Sequence, residues 1–271
     1  MLVRRWHPER EIVAVADGTY AALELLERCR RLSNPINFIT RLRLDAALYE
    51  PTPPRLPGQM GRPRLKGERM ANLSTIAEDP STGWEQIIVA NWYGGGERTV
   101  EIVSNTAIWY STGLPAVPVR WVLIRDPKGA FNTQALLCTD LCAEPERIIS
   151  WFVRRWQMEA TFQEARQRLG FETQRHWSEM AIQRTAPALL ALFSVVTLLA
   201  HQHMAKGTDA VRRTAWYDKK HPTFSDALAL VRKELWAQEE ATFCGLPQEN
   251  DTVKVPREFL ERLTDAVCYA A

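Results

Sequence analysis

The most regular hydrophobic pattern in the chain runs from Ile148 to Leu169. Apolar residues recur there mostly at steps of three and four, as they do on the buried face of an amphipathic helix. No Gly or Pro interrupts the segment from Glu146 onward. The members of this apolar stripe are Ile148, Trp151, Met158, Phe162, Ala165 and Leu169. The pattern predicts one long helix with a buried face.

Four residues follow one edge of the predicted stripe: Phe152, Arg155, Glu159 and Arg166. On one continuous helix, at roughly 100° per residue, they would lie within about 60° of one another. A glutamate held between two arginines suits a metal-binding carboxylate that works beside phosphates. An ordinary amphipathic helix with Arg–Glu pairs at its rim has the same spacing, and the spacing alone favours that simpler interpretation.

The N-terminal segment has the pattern of a strand, a helix and a second strand. The predicted elements are a strand at 12–16, a helix at 20–32 and a strand at 36–44. Short joints make this a βαβ unit with parallel strands. Asp17 follows the first strand, at the sheet edge where such folds bind ligands. An aspartate there is equally typical of a helix N-cap.

From residue 47 to residue 143 the pattern changes to short β-rich runs separated by turn signals. The runs are 86–92, 99–103, 107–110, 119–125 and 134–138. Asp126 opens an Asp-Pro-Lys-Gly turn between two of them, as a hairpin aspartate does. Before these runs, residues 51–70 hold five prolines and five basic residues against one acid. That composition fits a basic loop lying along a phosphate backbone and a solvated linker equally well.

Composition narrows the range of functions. At 271 residues and 46% apolar the chain can bury a large core, and its net charge of +2 is nearly neutral. Five cysteines without a CxxC pair argue for a reducing cytoplasm and against a disulfide framework. The longest apolar block, 186–200, is shorter than the roughly 20 residues of a membrane span, so a buried helix is expected and no membrane contact.

The spacing Phe152-x2-Arg155-x3-Glu159-x6-Arg166 resembles the Tyr-x2-Arg-x3-Glu-x6-Lys signature of bacterial insertion-sequence transposases. The resemblance implies an α/β fold with a ribonuclease H-like core and an Asp-Asp-Glu metal site, in which Glu159 is the third carboxylate. Asp17-Gly-Thr-Tyr20 is similar to the family's pattern around its second aspartate, although Thr19 departs from the small-residue position. The triad Asp17, Asp126 and Glu159 is a rival assignment, disfavoured by the hairpin context of Asp126.

No aspartate precedes Asp17, and the family's first three strands have no counterpart here. By this resemblance the chain is expected to be the C-terminal part of a transposase, inert and poorly soluble alone. The expected division is a partial core at 1–46, a β-rich insertion at 47–143, core helices at 144–205 and a helical tail at 206–271.

The resemblance implies metal-dependent cleavage of DNA phosphodiesters and strand transfer. Asp17 and Glu159 would hold Mg2+ (or Mn2+), and Tyr20, Phe152, Arg155 and Arg166 would lie against the DNA. Expected partners are the terminal repeats of the element, target DNA and a second copy of the chain. The alternative is a non-catalytic DNA-binding or dimerising remnant that regulates a full-length transposase.

Overall fold

The computed structural model describes residues 2–53, 60–61, 63–175, 177–207, 211, 219, 221–243 and 256–269. The chain forms two compact units, residues 1–157 and residues 158–271. Each unit buries apolar clusters of its own.

A seven-stranded mixed sheet lies at the centre of the first unit, which confirms the α/β class. The strands run in the order β1-β2-β7-β6-β5-β3, and β4 pairs with β5. Only β1 and β2 are parallel; the other pairs are antiparallel. The strands are β1 (Ile12–Val15), β2 (Ile36–Leu42), β3 (Leu48–Tyr49), β4 (Glu85–Val89), β5 (Arg98–Trp109), β6 (Val117–Arg125) and β7 (Gln134–Cys138).

The predicted strand–helix–strand unit is confirmed. Helix α2 (Leu23–Arg30) connects β1 to β2 and buries Leu23, Leu26 and Cys29. Glu27 is buried on the same helix, where both Arg30 and Arg31 bond its carboxylate. This pairing outweighs the desolvation that would raise the pKa of Glu27, so its pKa lies below the usual value.

Strand β2 joins the βαβ unit to the β-rich segment. It is parallel to β1 on one side and antiparallel to β7 on the other, with Ile39 opposite Cys138. Apolar side chains leave β2 toward both faces, since Phe38 and Leu42 belong to one core and Ile39 to the other. The β-rich segment therefore continues the sheet that begins with β1 and β2.

Helices cover both faces of this sheet. Helix α2 packs against β2 and β6, and helix α4 (Pro145–Arg154) packs against β2, β4 and β7. The short helix α3 (Leu73–Glu78) adds Leu73 to the core on the α2 side. A further short helix, α1 (Leu2–Trp6), precedes β1 and buries none of its residues.

Two predictions for the β-rich segment, a strand interruption and a hairpin turn, can be compared with the structure. The runs predicted at 99–103 and 107–110 form a single 12-residue strand, β5, so that interruption was wrong. Continuous pairing with β6 and the bond from the Ser104 hydroxyl to the Trp121 carbonyl carry the strand through its polar centre. The predicted hairpin turn at Asp126 is confirmed, with the Gly129 N–H donating to the Asp126 carbonyl.

The single helix expected from residue 146 to 169 is wrong, because the chain forms two helices there. Helix α4 ends at Arg154, and α5 (Trp156–Leu169) begins after Arg155. The Arg155 N–H bonds to the Phe152 carbonyl, three residues back, at 3.1 Å. Arg155 itself has right-handed helical backbone angles, φ −52° and ψ −36°, so a single tight turn separates the two helices.

In the second unit, helix α6 (Glu179–Ala205) packs on α7 (Phe224–Phe243), which packs on α8 (Arg257–Tyr269). Val196, Ala200, Phe224 and Val231 form the buried cluster. The rings of Phe193 and Phe224 stack with centroids 4.0 Å apart.

The expectation that the apolar block at 186–200 is buried was also wrong. Helix α6 extends beyond the block to 27 residues, and only Val196 and Ala200 are buried. Leu192, Val195 and Leu198 are 45%, 49% and 62% exposed. By length and composition alone α6 could cross a membrane, which is a weak signal from a single helix.

Candidate active site

Asp17 lies two residues after β1, at the carboxyl end of the parallel pair β1–β2. Its side chain is exposed, and its Oδ1 accepts a hydrogen bond from the Gly18 N–H at 2.7 Å. This bond caps a short 3-10 helix from Gly18 to Tyr20. Asp17 thus has the N-cap role that the sequence predicted as an equal alternative to ligand binding, and in the described part of the chain its Oδ2 has no hydrogen-bond partner. A ligand can therefore reach that oxygen without breaking the cap.

Tyr20 ends the 3-10 helix, and its backbone N–H donates to the Asp17 carbonyl at 3.0 Å. Its side chain is 57% exposed. The turn therefore presents the Asp17 carboxylate and the Tyr20 ring to solvent together.

Arg41, on β2, lies beside the Asp17–Gly18 turn. A Cβ added to Gly18 would lie 3.5 Å from the Arg41 Cβ, which is van der Waals contact. One residue earlier, the Thr40 hydroxyl bonds the Asp17 carbonyl at 2.7 Å. Because β1 and β2 are parallel, Arg41 and Asp17 leave the sheet at the same end.

Phe152 and Arg155 belong to the same unit as Asp17. Phe152 is 3% exposed and packs in the core between α4 and the sheet. The Arg155 guanidinium carbon lies 5.8 Å from the centroid of the Phe152 ring, and the Arg41 guanidinium carbon lies 5.7 Å from it. Arg41 therefore links the Asp17 turn to the first half of the predicted motif.

The second half of the motif, Glu159 and Arg166, lies on the part of α5 that belongs to the second unit. Both side chains are exposed. The Arg166 Nε bonds the Glu172 carboxylate at 2.5 Å, so Glu172 is the ionic partner that the structure gives it. The pairing raises the pKa of Arg166 and lowers that of Glu172. The joint site of Asp17 and Glu159 remains a prediction.

Asp126, the carboxylate of the rival assignment, bonds to its own hairpin and to Arg98. It is 8% exposed and forms an ion pair with Arg98. The N–H groups of Lys128 and Ala130 donate to its two oxygens at 2.9 and 3.1 Å. The Lys128 N–H and the Arg98 guanidinium together hold the pKa of Asp126 below its usual range, although desolvation acts against them. Its oxygens are thus occupied in closing the hairpin.

The carboxylate at Asp17 is a suitable ligand for Mg2+, which prefers oxygen ligands and retains several waters. Among the residues that the structure describes, no three His, Cys, Asp or Glu side chains are grouped so that they could hold a metal ion. In the part of the chain that the structure describes, Asp17 is thus not a member of a three-ligand cluster.

Arg41 is the residue that sequence reasoning missed. No motif marks a single arginine in a strand, and its position became visible only from the β1–β2 register and the Phe152 ring contact. The available signal was a basic residue at the carboxyl end of the second strand of a βαβ unit, where ligands bind.

Residues 2–99 match a family model described as DDE superfamily endonuclease. The match includes Asp17 and Arg41 and ends before the motif at 152–166. It supports a transposase-like nuclease family, whose nuclease domain is ribonuclease H-like and generally uses divalent metals. No curated protein matches the chain.

Proposed function

We propose that the protein is a DNA transposase of a bacterial insertion sequence, which cleaves a phosphodiester bond and transfers the strand. The observation that carries the proposal is the position of Asp17. It lies at the carboxyl end of a parallel strand pair, within the segment that matches DDE superfamily endonucleases. Nucleases of this family act on DNA.

In this proposal Asp17 and Glu159 would each be a ligand of Mg2+ or Mn2+. When bound, such an ion stabilises negative charge on the attacked phosphate. Arg155 contacts a backbone phosphate, and Phe152 supports it from the core. Tyr20, exposed next to Asp17, packs against the DNA.

On binding DNA, Arg166 would release the Glu172 carboxylate and bind a backbone phosphate in its place. Its pair with Glu172 is exposed on both sides, at 52% and 54% of the side chains. Exposed pairs contribute little to stability, so a DNA phosphate can replace Glu172 at small cost. The guanidinium also forms two parallel bonds to phosphate, which the lysine of the family signature cannot do.

The proposed partners are the terminal repeats of the element, target DNA and a second copy of the chain. The proposed location is the bacterial cytoplasm, where the DNA is. The proposal places no part of the chain in a membrane, although α6 has the length and composition of a span.

The test uses the gene with any in-frame sequence that precedes Met1, and a plasmid carrying the DNA that flanks the element. We expect cleavage that requires Mg2+, lost in both Asp17→Asn and Glu159→Gln, with DNA binding retained. Cleavage that survives either substitution would remove that residue from the site. DNA binding without cleavage in any form would favour the regulatory remnant, and absence of DNA binding would overturn both functions.

A further inference from the structure

We propose that Arg41 binds a DNA backbone phosphate next to Asp17, as the second cation of a site built on the Phe152 ring. The inference rests on the proposed function, since it names a contact to the same substrate. The site consists of Arg41 from β2, Phe152 from α4 and Arg155 from the junction that follows.

Phe152 fixes both cations in place. The ring is 3% exposed, and both guanidinium carbons lie within 6 Å of its centroid, at 5.7 and 5.8 Å. A cation held over an aromatic face gains about 0.5–1 kcal/mol at an exposed site and keeps its full charge. The ring contact therefore positions the Arg41 guanidinium without neutralising it.

The charge of Arg41 is available to a ligand. Within the described ranges no hydrogen bond or ion pair reaches its guanidinium, and the side chain is exposed. Other arginines of the sheet region are paired: Arg43 with Asp45, Arg98 with Asp126 and Arg125 with Glu101. Arg41 thus differs from them in offering all its donors to a partner from outside.

The position of Arg41 suits a phosphodiester that approaches Asp17. The carboxylate alone repels a phosphate, and this repulsion grows as water is excluded. Arg41 lies beside Gly18, where an added Cβ would be 3.5 Å from the Arg41 Cβ, and it supplies the opposite charge next to Asp17. Guanidinium groups favour phosphate because two parallel N–H donors match two phosphate oxygens.

The test measures binding of the full 271-residue chain to a fluorescein-labelled 25-base-pair duplex of random sequence, in EDTA, over a range of salt concentrations. Each phosphate contact contributes about 0.9 to the slope of log K against log salt. We expect Arg41→Ala and Arg41→Gln each to reduce the magnitude of this negative slope by about 0.9. Each is also expected to weaken the affinity roughly tenfold at low salt. Arg41→Lys keeps the charge and is expected to have the wild-type slope.

Arg43→Ala is the matched control, because Arg43 carries the same charge two residues away and lies outside the proposed site. It is expected to leave the slope unchanged. Wild-type slope and affinity in Arg41→Ala, or an equal loss in Arg43→Ala, would overturn the site and leave the proposed function standing. A wild-type chain that does not bind DNA would overturn both. Circular dichroism and thermal melting of each variant separate loss of contact from loss of fold.

Discussion

The hydroxyl of Thr40 donates a hydrogen bond to the backbone carbonyl of Asp17, with 2.7 Å between the two oxygens. Thr40 is fully buried on β2, with 0% of its surface exposed. The bond therefore ties the turn that carries the candidate catalytic carboxylate to β2, a strand paired on both sides.

Thr40→Val keeps the shape of the side chain and removes this bond. We expect the free energy of unfolding to fall by about 1–2 kcal/mol, because the carbonyl loses its partner. Urea denaturation measures the change. Thr40→Ser keeps the hydroxyl and serves as the control, and equal losses in Val and Ser would assign the effect to packing.

Cleavage assays should distinguish the two carboxylates proposed for catalysis from Asp126. In a cleavage-competent form of the protein, Asp17→Asn is expected to be as damaging as Glu159→Gln, since each removes a metal-binding charge. Asp126→Asn is expected to retain cleavage in the fraction that folds, because Asp126 serves the hairpin and Arg98. An inactive Asp126 variant with an active Asp17 variant would reverse the assignment.

Asp126 should also make stability depend on pH. Its pKa in the folded protein lies below the usual value of about 3.9, so the unfolded chain binds more protons in acid. Its contribution is fully present above about pH 4 and is lost as pH falls through the folded pKa. Between roughly pH 5 and 2, the free energy of unfolding should fall less steeply with decreasing pH for Asp126→Asn than for wild type. Identical slopes of free energy against pH would contradict the assignment.

In the second unit, Asp226 is fully buried and accepts bonds from Lys219, from the Thr223 N–H and from the Tyr269 hydroxyl. Asp226→Ala is expected to lower the unfolding free energy by about 2–3 kcal/mol, because these donors lose a charged acceptor. Asp265→Ala breaks an exposed pair with Lys233 and should cost at most about 1 kcal/mol. Equal losses of unfolding free energy in the two variants would show that the burial of Asp226 adds nothing to stability.

Local pattern predicted much of the fold. The bounds of β7 agree with the sequence run at 134–138, and the Asp-Pro-Lys-Gly turn lies where its residue types require. Both features depend on neighbouring residues alone. The polar centre of β5 misled the same method, because pairing with β6 across the sheet overrides a local interruption.

Features that depend on distant partners could not be predicted. The apolar composition of α6 indicated a buried helix, yet burial depends on what packs across its faces, and most of α6 is exposed. Arg41 carries no motif, so only the β1–β2 register reveals its place beside Asp17. The helix break at Arg155 interrupts a segment without Gly or Pro, where propensity predicts continuity.

The pairing of β2 with β7 also sets the order in which the protein can fold during synthesis. The Phe38 N–H donates to the Thr139 hydroxyl, 101 residues further along the chain. A ribosome adding about 5–20 residues per second needs roughly 5–20 s to make that stretch. Through this interval β2 has β1 beside it, while the edge that will receive β7 stays open to other strands. Strand β2, whose Thr40 bonds the Asp17 carbonyl, therefore gains its second neighbouring strand late, once β7 has been made.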